Sequence, residues 1–480
     1  MLFNSFEYLL FLPTVFLLYW FVFRSRKWQN LLIVIVSYIF YGWWDWRFLI
    51  LIAFTSLCSY LSGVFLEKYE GRRKAQQMVS AANITVNLLI LCVFKYFNFF
   101  ADNLASLVGA LGYQLNWVTL DIILPVGISF YTFQALSYTI DVYRHSIKPT
   151  RDPVEFFAYI SFFPQLVAGP IERATNLLPQ FQKSRKFDYH EAVDGFHQIL
   201  WGLAKKMIIA DTCAIVVNEN WPNYTELSGV QLFLYVFLFT FQIYCDFSGY
   251  SDIAIGTAKL FGIRLMQNFN FPFLARSIPE HWRRWHISLT TWFRDYVYFP
   301  LGGSRGSKAM VIRNIFIVWA ISGLWHGANW TYICWGLYHG VLIALYNILG
   351  INTKYKEVVA HGHWLPSLRE LGQVVFTFLL VVNGFIIFRS ESISQAAQYF
   401  WLMVTRMFGP VGTIDGTTGR ALLFCGILIV VEWLRREKVH VLSMENVKPE
   451  WIQWAICFVL IIATYVLMAT QVSNFIYFQF

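Results

Sequence analysis

A histidine that could act as a general base ends one of the apolar runs of this chain. It is His326, in the sequence SGLWHGANW at 322–330. An imidazole has an ordinary pKa near physiological pH, so it could take the proton of an acceptor hydroxyl. Asn329 would share a helical face with it if the segment is helical, and His339 in WGLYHG is a candidate supporting residue. The alternative is a buried structural histidine satisfied by one carbonyl group, and the residues alone leave both interpretations open.

A second segment, at 277–305, interleaves basic and aromatic side chains in SIPEHWRRWHISLTTWFRDYVYFPLGGSR. One interpretation is an amphipathic helix at the membrane surface, with basic residues on lipid phosphates and tryptophans as anchors. The other is an entry surface for an anionic activated donor such as coenzyme A, because the planar guanidinium group binds phosphate through two hydrogen bonds. The two can hold together. The candidate donor-binding residues are Arg283, Arg284, Trp285, His286 and Arg294.

Charged residues also interrupt the apolar run that contains QIYCDFSGYSD at 242–252. Carboxylates facing lipid would be costly, so they either cap a broken helix, which the glycine and serines at 248–251 slightly favour, or line an internal cavity. No metal site is expected, because the HGH at 361–363 has no carboxylate or cysteine ligands nearby. The candidate cavity-lining residues are Asp246, Ser248, Tyr250 and Asp252, together with Trp325 of the histidine motif.

The composition predicts that most of the chain lies in a membrane. Of its 480 residues, 57% are hydrophobic and only 14% are charged, whereas soluble domains carry about 25% charged residues. The net charge of +9 is explained by lysines and arginines in cytoplasmic loops, so nucleic-acid binding is not expected. The seven scattered cysteines include no CxxC pair, which argues against a disulfide framework and a zinc site.

The apolar runs predict the architecture. A helix that crosses the bilayer needs about 20 apolar residues, and we expect an all-α polytopic protein with roughly 11–13 apolar helices, some of them re-entrant. Basic clusters at 24–27, 68–74 and 435–438 predict cytoplasmic loops, which places both termini outside the cytoplasm. Residues 1–480 should form a single integral membrane domain, with a C-terminal span and an extracytoplasmic tail at 451–480.

Several long motifs in one order resemble the membrane-bound O-acyltransferase (MBOAT) family, and within it the bacterial branch of alginate O-acetyltransferase-like membrane subunits. The resemblance covers nearly the whole chain. The motifs are LPVGISFYTFQALSYTIDVYR at 124–144, FFPQLVAGPIER at 162–173, DFSGYSDIAIG at 246–256, HWRRWHISLTTWFRDYVYFPLGG at 281–303, SGLWHGANWTYICWGLYHG at 322–340 and NFIYFQF at 474–480.

This resemblance implies a ring of tilted and re-entrant helices around a central funnel, in the inner (cytoplasmic) membrane of a bacterium. It identifies His326 as the catalytic histidine. It also implies acetyl-CoA as the acyl-donor substrate, with no permanently bound cofactor. In related systems a small partner protein ends in a similar Phe-Ile-Tyr motif, which here is matched by Tyr477 near the end of the chain.

The resemblance therefore suggests a relay for polysaccharide O-acetylation. His326 would deprotonate Tyr477, the phenolate would attack the thioester, and the acetyl group would pass to an extracytoplasmic SGNH-hydrolase-like acetyltransferase partner. The final acceptor would be a polysaccharide such as alginate, cellulose or peptidoglycan. The alternatives are a transporter of acyl groups without covalent chemistry, a structural subunit, a D-alanyl or long-chain acyltransferase, and, for Tyr477, an interfacial aromatic anchor.

Overall fold

Backbone polar groups have no water partners inside a bilayer, so apolar runs cross it as helices that satisfy their own hydrogen bonds. The computed structural model describes residues 1–113, 124–167, 169–351, 355, 357–445, 447–471, 473 and 475–476, and in these residues all regular structure is helical. The prediction of an all-α polytopic membrane protein is confirmed. Seven helices of this part of the chain are long and apolar enough to cross a membrane: Phe48–Lys68, Arg73–Ala110, Gly229–Leu260, Lys308–His326, Leu368–Arg389, Gly416–Arg435 and Glu450–Leu467.

The first of two compact units comprises Met1–Ala192 and Thr257–Met266. Two π-helical segments, Leu18–Val22 and Cys92–Tyr96, extend its helices, and the second joins α4 and α5 into one long apolar helix. The helices are α1 (Phe6–Leu17), α2 (Arg26–Gly42), α3 (Phe48–Lys68), α4 (Arg73–Leu91), α5 (Phe97–Ala110), α6 (Ile128–Tyr143), α7 (Pro153–Ser161), α8 (Phe163–Leu166) and α9 (Ala174–Gln182).

A fully buried carboxyl group holds the segment 257–266 in this first unit. Glu172 is 0% exposed. Its carboxyl oxygens accept the backbone N–H of Met266 and the side-chain amide of Asn176, the latter at 2.7 Å. Burial disfavours the charged carboxylate and raises the pKa of Glu172 to about 7. This group therefore titrates near physiological pH.

The second unit comprises Val193–Gly256 and Gln267–Phe480. It also contains π-helical turns at Lys205–Ala210 and Arg294–Tyr298 and short 3-10 turns at Trp221–Asn223 and Pro272–Leu274. Its helices are α10 (Tyr189–Ala204), α11 (Asp211–Asn220), α12 (Gly229–Leu260), α13 (Ile278–Arg284), α14 (Ile287–Phe293), α15 (Lys308–His326), α16 (Trp330–Ile348), α17 (Leu368–Arg389), α18 (Ile393–Thr405), α19 (Gly416–Arg435) and α20 (Glu450–Leu467), of which α10 begins and α12 ends in the first unit.

The helical hairpin of α15 and α16 depends on two glycines. A Cβ atom on Gly323 would collide with the carbonyl oxygen of Tyr332, and one on Gly336 would collide with the carbonyl oxygen of Trp319. Small residues let helices in membranes approach until their backbones touch, which replaces the hydrophobic driving force that lipid cannot supply. The hairpin therefore has a fixed register, and this register fixes the position of His326 at the end of α15.

The substitution Glu172→Gln should change how thermal stability depends on pH. Because the folded-state pKa of Glu172 lies above its ordinary value, this carboxyl group favours folding below pH 4.5, and that contribution is lost as pH rises to about 7. The loss amounts to at most about 3 kcal/mol. The variant should therefore melt higher relative to wild type at pH 8 than at pH 5, as followed by tryptophan fluorescence in detergent. The exposed-site control Glu70→Gln should show the same difference from wild type at both pH values; equal behaviour of the two variants would contradict the assignment.

Candidate active site

Aromatic rings enclose His326 at the end of α15. The residue is 4% exposed. Its ring centroid lies 5.0 Å from that of Trp325, 4.9 Å from that of Trp335 and 5.5 Å from that of Phe388, each in an edge-to-face arrangement. Such surroundings keep bulk water from the imidazole, and a reactive acyl group held here would be protected from hydrolysis.

Asn329 forms the turn after His326. α15 ends at His326, and Asn329 is the N-cap residue of α16, where its side chain accepts the backbone N–H of Thr331 at 3.0 Å. The side-chain amide also donates to the carbonyl oxygen of Glu391 at 3.0 Å. The expectation that Asn329 shares a helical face with His326 is therefore wrong, because a helix end separates them. The Asn329 side chain instead holds the turn that ends the histidine motif.

His339 belongs to the same aromatic cluster as His326. The ring of Trp335 contacts both, with centroids 4.9 Å from His326 and 5.0 Å from His339. The indole N–H of Trp282 donates to Nδ1 of His339 at 3.4 Å. Gly384 of α17 packs against the other ring nitrogen, since a Cβ there would stand 2.9 Å from Nε2. The structure thus brings together the two histidines singled out from the sequence.

A cavity of about 270 Å³ borders this aromatic cluster. Arg283 and Arg294, both exposed, line it together with Trp282 and Ser322. Ser322 precedes His326 by about one helical turn of α15. Most of the remaining lining residues are apolar. Two exposed guanidinium groups and the turn that carries His326 therefore border one apolar cavity.

The other candidate donor-binding residues lie deeper. Arg284 is engaged in a largely buried ion pair. Trp285 and His286 are 4% and 1% exposed. Burial lowers the pKa of His286 to about 3, so its imidazole is neutral at physiological pH and offers no positive charge to a phosphate. Of the five candidates, the structure leaves Arg283 and Arg294 exposed.

The polar segment at 242–252 lies within a continuous helix. The expected helix break is wrong, because α12 runs from Gly229 to Leu260 without interruption. Gly249 instead allows α12 to touch α10, since a Cβ there would stand 2.8 Å from the carbonyl oxygen of Gly202. The polar side chains of this segment therefore face protein rather than a gap in the helix. The candidates on α12 are Asp246, Ser248, Tyr250 and Asp252.

Two consecutive lysines neutralise the carboxylates of α12. Lys205 forms an ion pair with Asp252 at 2.6 Å, and Lys206 forms one with Asp246 at 2.8 Å. Both lysines belong to the π-helical segment Lys205–Ala210. Neither lysine was predicted from the sequence as a site residue. The signal was present, because ionisable residues within an apolar run are rare and usually have a specific partner.

The remaining candidates from the sequence are Trp325, Tyr250 and Tyr477. Trp325 is 3% exposed and forms part of the ring cluster around the catalytic candidate. Tyr250 packs on Phe475, with ring centroids 4.9 Å apart. Tyr477 lies outside the residues that the structure describes.

In the described part of the chain, no group of three or more histidine, cysteine or carboxylate side chains could hold a metal ion.

Comparisons with known proteins agree with the sequence motifs. The model of the membrane-bound O-acyltransferase family matches residues 35–361. A Pseudomonas aeruginosa protein named "probable alginate O-acetylase AlgI" is 41% identical over 409 residues, which cover 85% of this chain and 75% of the relative. A Helicobacter pylori peptidoglycan O-acetyltransferase is 29% identical over 98% of this chain and 95% of its own. A Bacillus subtilis teichoic acid D-alanyltransferase is 34% identical over 55% of this chain and 69% of its own.

The substitution Gly384→Ala should destabilise the aromatic cluster. The added methyl group would press on His339, and overpacking of this kind typically costs about 1–3 kcal/mol. Gly372 lies on the same helix with no atom near its missing Cβ, so Gly372→Ala should be neutral or stabilising by up to about 1 kcal/mol. Thermal unfolding in detergent measures both. A melting temperature for Gly384→Ala at or above that of Gly372→Ala would contradict the close packing of α17 on His339.

Proposed function

We propose, from the fact that this chain belongs to the membrane-bound O-acyltransferase family, that it transfers an acetyl group from acetyl-CoA toward a polysaccharide outside the cytoplasm. Family membership makes the chain a multi-pass membrane O-acyltransferase. The observation that carries the finer proposal is the position of His326. It is a buried imidazole at the end of α15, about one helical turn after Ser322, which lines a cavity together with two exposed arginines.

The cavity suits the donor. Arg283 and Arg294 would bind the phosphates of coenzyme A, because guanidinium groups form paired hydrogen bonds with phosphate oxygens. The apolar lining beside Trp282 would take the uncharged pantetheine arm. The thioester would then reach the turn of α15 that carries Ser322 and His326. Donor binding by Arg284, Trp285 and His286 would be indirect, through the packing that holds this surface.

The acceptor in the first step would be the hydroxyl group of Tyr477. His326 would remove the phenolic proton, the phenolate oxygen would bond to the thioester carbonyl carbon, and the carbon–sulfur bond would break. The thiolate of coenzyme A would take the proton back from the imidazolium. Phenolate is a weaker base than an alkoxide and therefore a better leaving group, so an acetyl-tyrosine ester is activated for onward transfer. His339 would support His326 through their shared neighbour Trp335.

The second step would take place on the outer side of the inner membrane. Acetyl-Tyr477 would pass its acetyl group to a serine of an extracytoplasmic SGNH-hydrolase-like partner, which would acetylate the sugar hydroxyl. The relatives are named as a probable alginate O-acetylase and a peptidoglycan O-acetyltransferase, and we propose an acceptor of that kind, with both termini of this chain outside the cytoplasm. Asp246, Ser248, Tyr250, Asp252 and Trp325 would line the route between donor and acceptor. A D-alanyl group is the second candidate, because a teichoic acid D-alanyltransferase is also among the relatives.

Replacement of the catalytic candidate tests whether covalent chemistry occurs. Purified His326→Ala protein should lose acyl transfer from acetyl-CoA by about 10²–10⁴-fold, because general base catalysis contributes that much. Thiol release from acetyl-CoA in the presence of the partner measures the rate. The control His361→Ala, at an exposed histidine, should keep the wild-type rate. A transporter without covalent chemistry would show no dependence on His326.

Replacement of the acceptor tests the relay. Tyr477→Phe removes the hydroxyl group and keeps the ring, so polymer acetylation should fall to background. Mass spectrometry of the C-terminal peptide, from cells whose partner enzyme is inactive, should find about 42 Da added to Tyr477 in the wild type, because an acetyl ester accumulates when the onward step is blocked. Full polymer acetylation by Tyr477→Phe would rule out the relay while leaving His326 as a base toward another acceptor.

A further inference from the structure

The C-terminal segment returns into the protein after α20. The backbone N–H of Ala469 donates to the carbonyl oxygen of Met207 at 3.1 Å. Farther along, Phe475 and Ile476 are 3% and 2% exposed, and Ile476 belongs to the hydrophobic core of the second unit. The ring of Phe475 packs on Tyr250 of α12. Ala469, Phe475 and Ile476 are therefore packed against the second unit.

Three buried charged residues of the second unit contact this segment. The carboxyl group of Asp211 accepts the hydroxyl group of Ser473 at 2.5 Å and its backbone N–H at 3.3 Å. The carboxyl group of Asp246 accepts the backbone N–H of Ile476 at 2.6 Å. The ammonium group of Lys206 donates to the carbonyl oxygen of Ser473 at 2.9 Å.

The same three residues are bound to one another. Lys206 lies 2.9 Å from Asp211 and 2.8 Å from Asp246, and none of the three side chains is more than 9% exposed. One ammonium group faces two carboxylates, so the cluster lacks positive charge. A buried carboxylate needs further donors to offset its lost hydration. The donors on the C-terminal segment, from Ser473 and Ile476, supply them.

Consecutive side chains on a helix point in different directions, so Lys206 can serve this cluster while Lys205 serves another. Lys205 forms an ion pair with Asp252 at 2.6 Å. The carboxyl group of Asp252 also accepts a hydrogen bond from the side-chain amide of Gln198 at 2.8 Å. Lys206 turns to Asp211 and Asp246 instead. The two lysines therefore serve two separate carboxylate clusters. Among the described residues, the hydrogen bonds to Ser473 and Ile476 given above all come from the cluster of Lys206, Asp211 and Asp246.

We propose that Lys206, Asp211 and Asp246 form a clamp that holds Ser473 and Ile476 through main-chain and serine hydrogen bonds. The clamp would make these three side chains positioning residues for the tyrosine that follows Ile476 in the chain. This role in transfer rests on the proposed function, whereas the holding of the segment does not. Because the contacts at Ile476 use the backbone, the clamp would hold the segment whatever side chain stands at position 477.

Digestion of the full-length protein by a carboxypeptidase, followed by intact mass spectrometry, tests the clamp. The double variant Lys206→Met with Asp246→Asn removes one positive and one negative charge together. Loss of residues 473–476 should become at least about tenfold faster than in wild type, because charge-assisted hydrogen bonds are lost and cleavage follows the opened population. The variant Ser473→Ala removes the hydroxyl donor to Asp211 and leaves all charges in place, and it should act in the same direction should the double variant fail to fold.

The neighbouring lysine supplies a matched control. The double variant Lys205→Met with Asp252→Asn removes an equivalent ion pair from the same π-helical turn and the same helix α12, and its segment should stay as protected as in wild type. Tyr477→Phe should also keep the segment protected. If both clamp variants are digested no faster than wild type, the clamp is wrong.

Polymer acetylation by the clamp variants separates the clamp from the relay. Faster digestion with reduced acetylation supports both the clamp and its positioning role. Faster digestion with unchanged acetylation overturns the positioning role, while the holding of the segment stands and the relay is decided by Tyr477→Phe. Reduced acetylation with wild-type digestion overturns the clamp and leaves the relay untouched.

Discussion

Charges placed inside the apolar segments of this protein must meet opposite charges, because neither lipid nor an aromatic core can solvate them. Asp246 and Asp252 meet this requirement on α12, and Lys205 and Lys206 satisfy it from the neighbouring π-helical turn. Ion pairs of 2.6–2.8 Å join the π-helical turn to α12. Pairing of the buried charges therefore contributes to the close spacing of these two elements.

Glycine makes this spacing feasible. α10 and α12 touch at Gly202 and Gly249, where a Cβ on Gly202 would stand 2.5 Å from the carbonyl oxygen of Gly249. α15 and α16 touch in the same manner at Gly323 and Gly336. The first contact brings lysine and aspartate together, and the second fixes the helix end that carries a histidine. One packing device thus serves both the charged cluster and the candidate base.

The sequence predicted those features that depend on composition and local order. Apolar length and the scarcity of charge predicted an all-α membrane protein, and the position of His326 at the end of an apolar run made it a catalytic candidate, with a buried structural histidine as the alternative. Features that depend on tertiary contacts were not predictable in this way. Gly249 looked like a helix break because a glycine beside serines usually marks one, but its role is to let α10 approach. Asn329 looked like a partner of His326 because it follows three residues later, which would place both on one face of a continuous helix, but α15 ends between them. Lys206 was passed over because its partners lie 5 and 40 positions away in the chain, on two different helices.

The chemistry proposed here places two opposite demands on the same small region. The phosphates of the donor need water or arginine, whereas a thioester next to an activated base must be kept from water. Exposed Arg283 and Arg294 line the cavity together with Trp282, which packs on Trp335 of the rings around His326, so the two demands are met at different depths. An acceptor supplied by the chain itself adds a third requirement. The hydroxyl group of Tyr477 that reacts cannot also be the group whose hydrogen bonds hold the segment in place. Holding Ser473 and Ile476 by backbone and hydroxyl contacts resolves it, because the reacting side chain is left out of the bonds that fix its position.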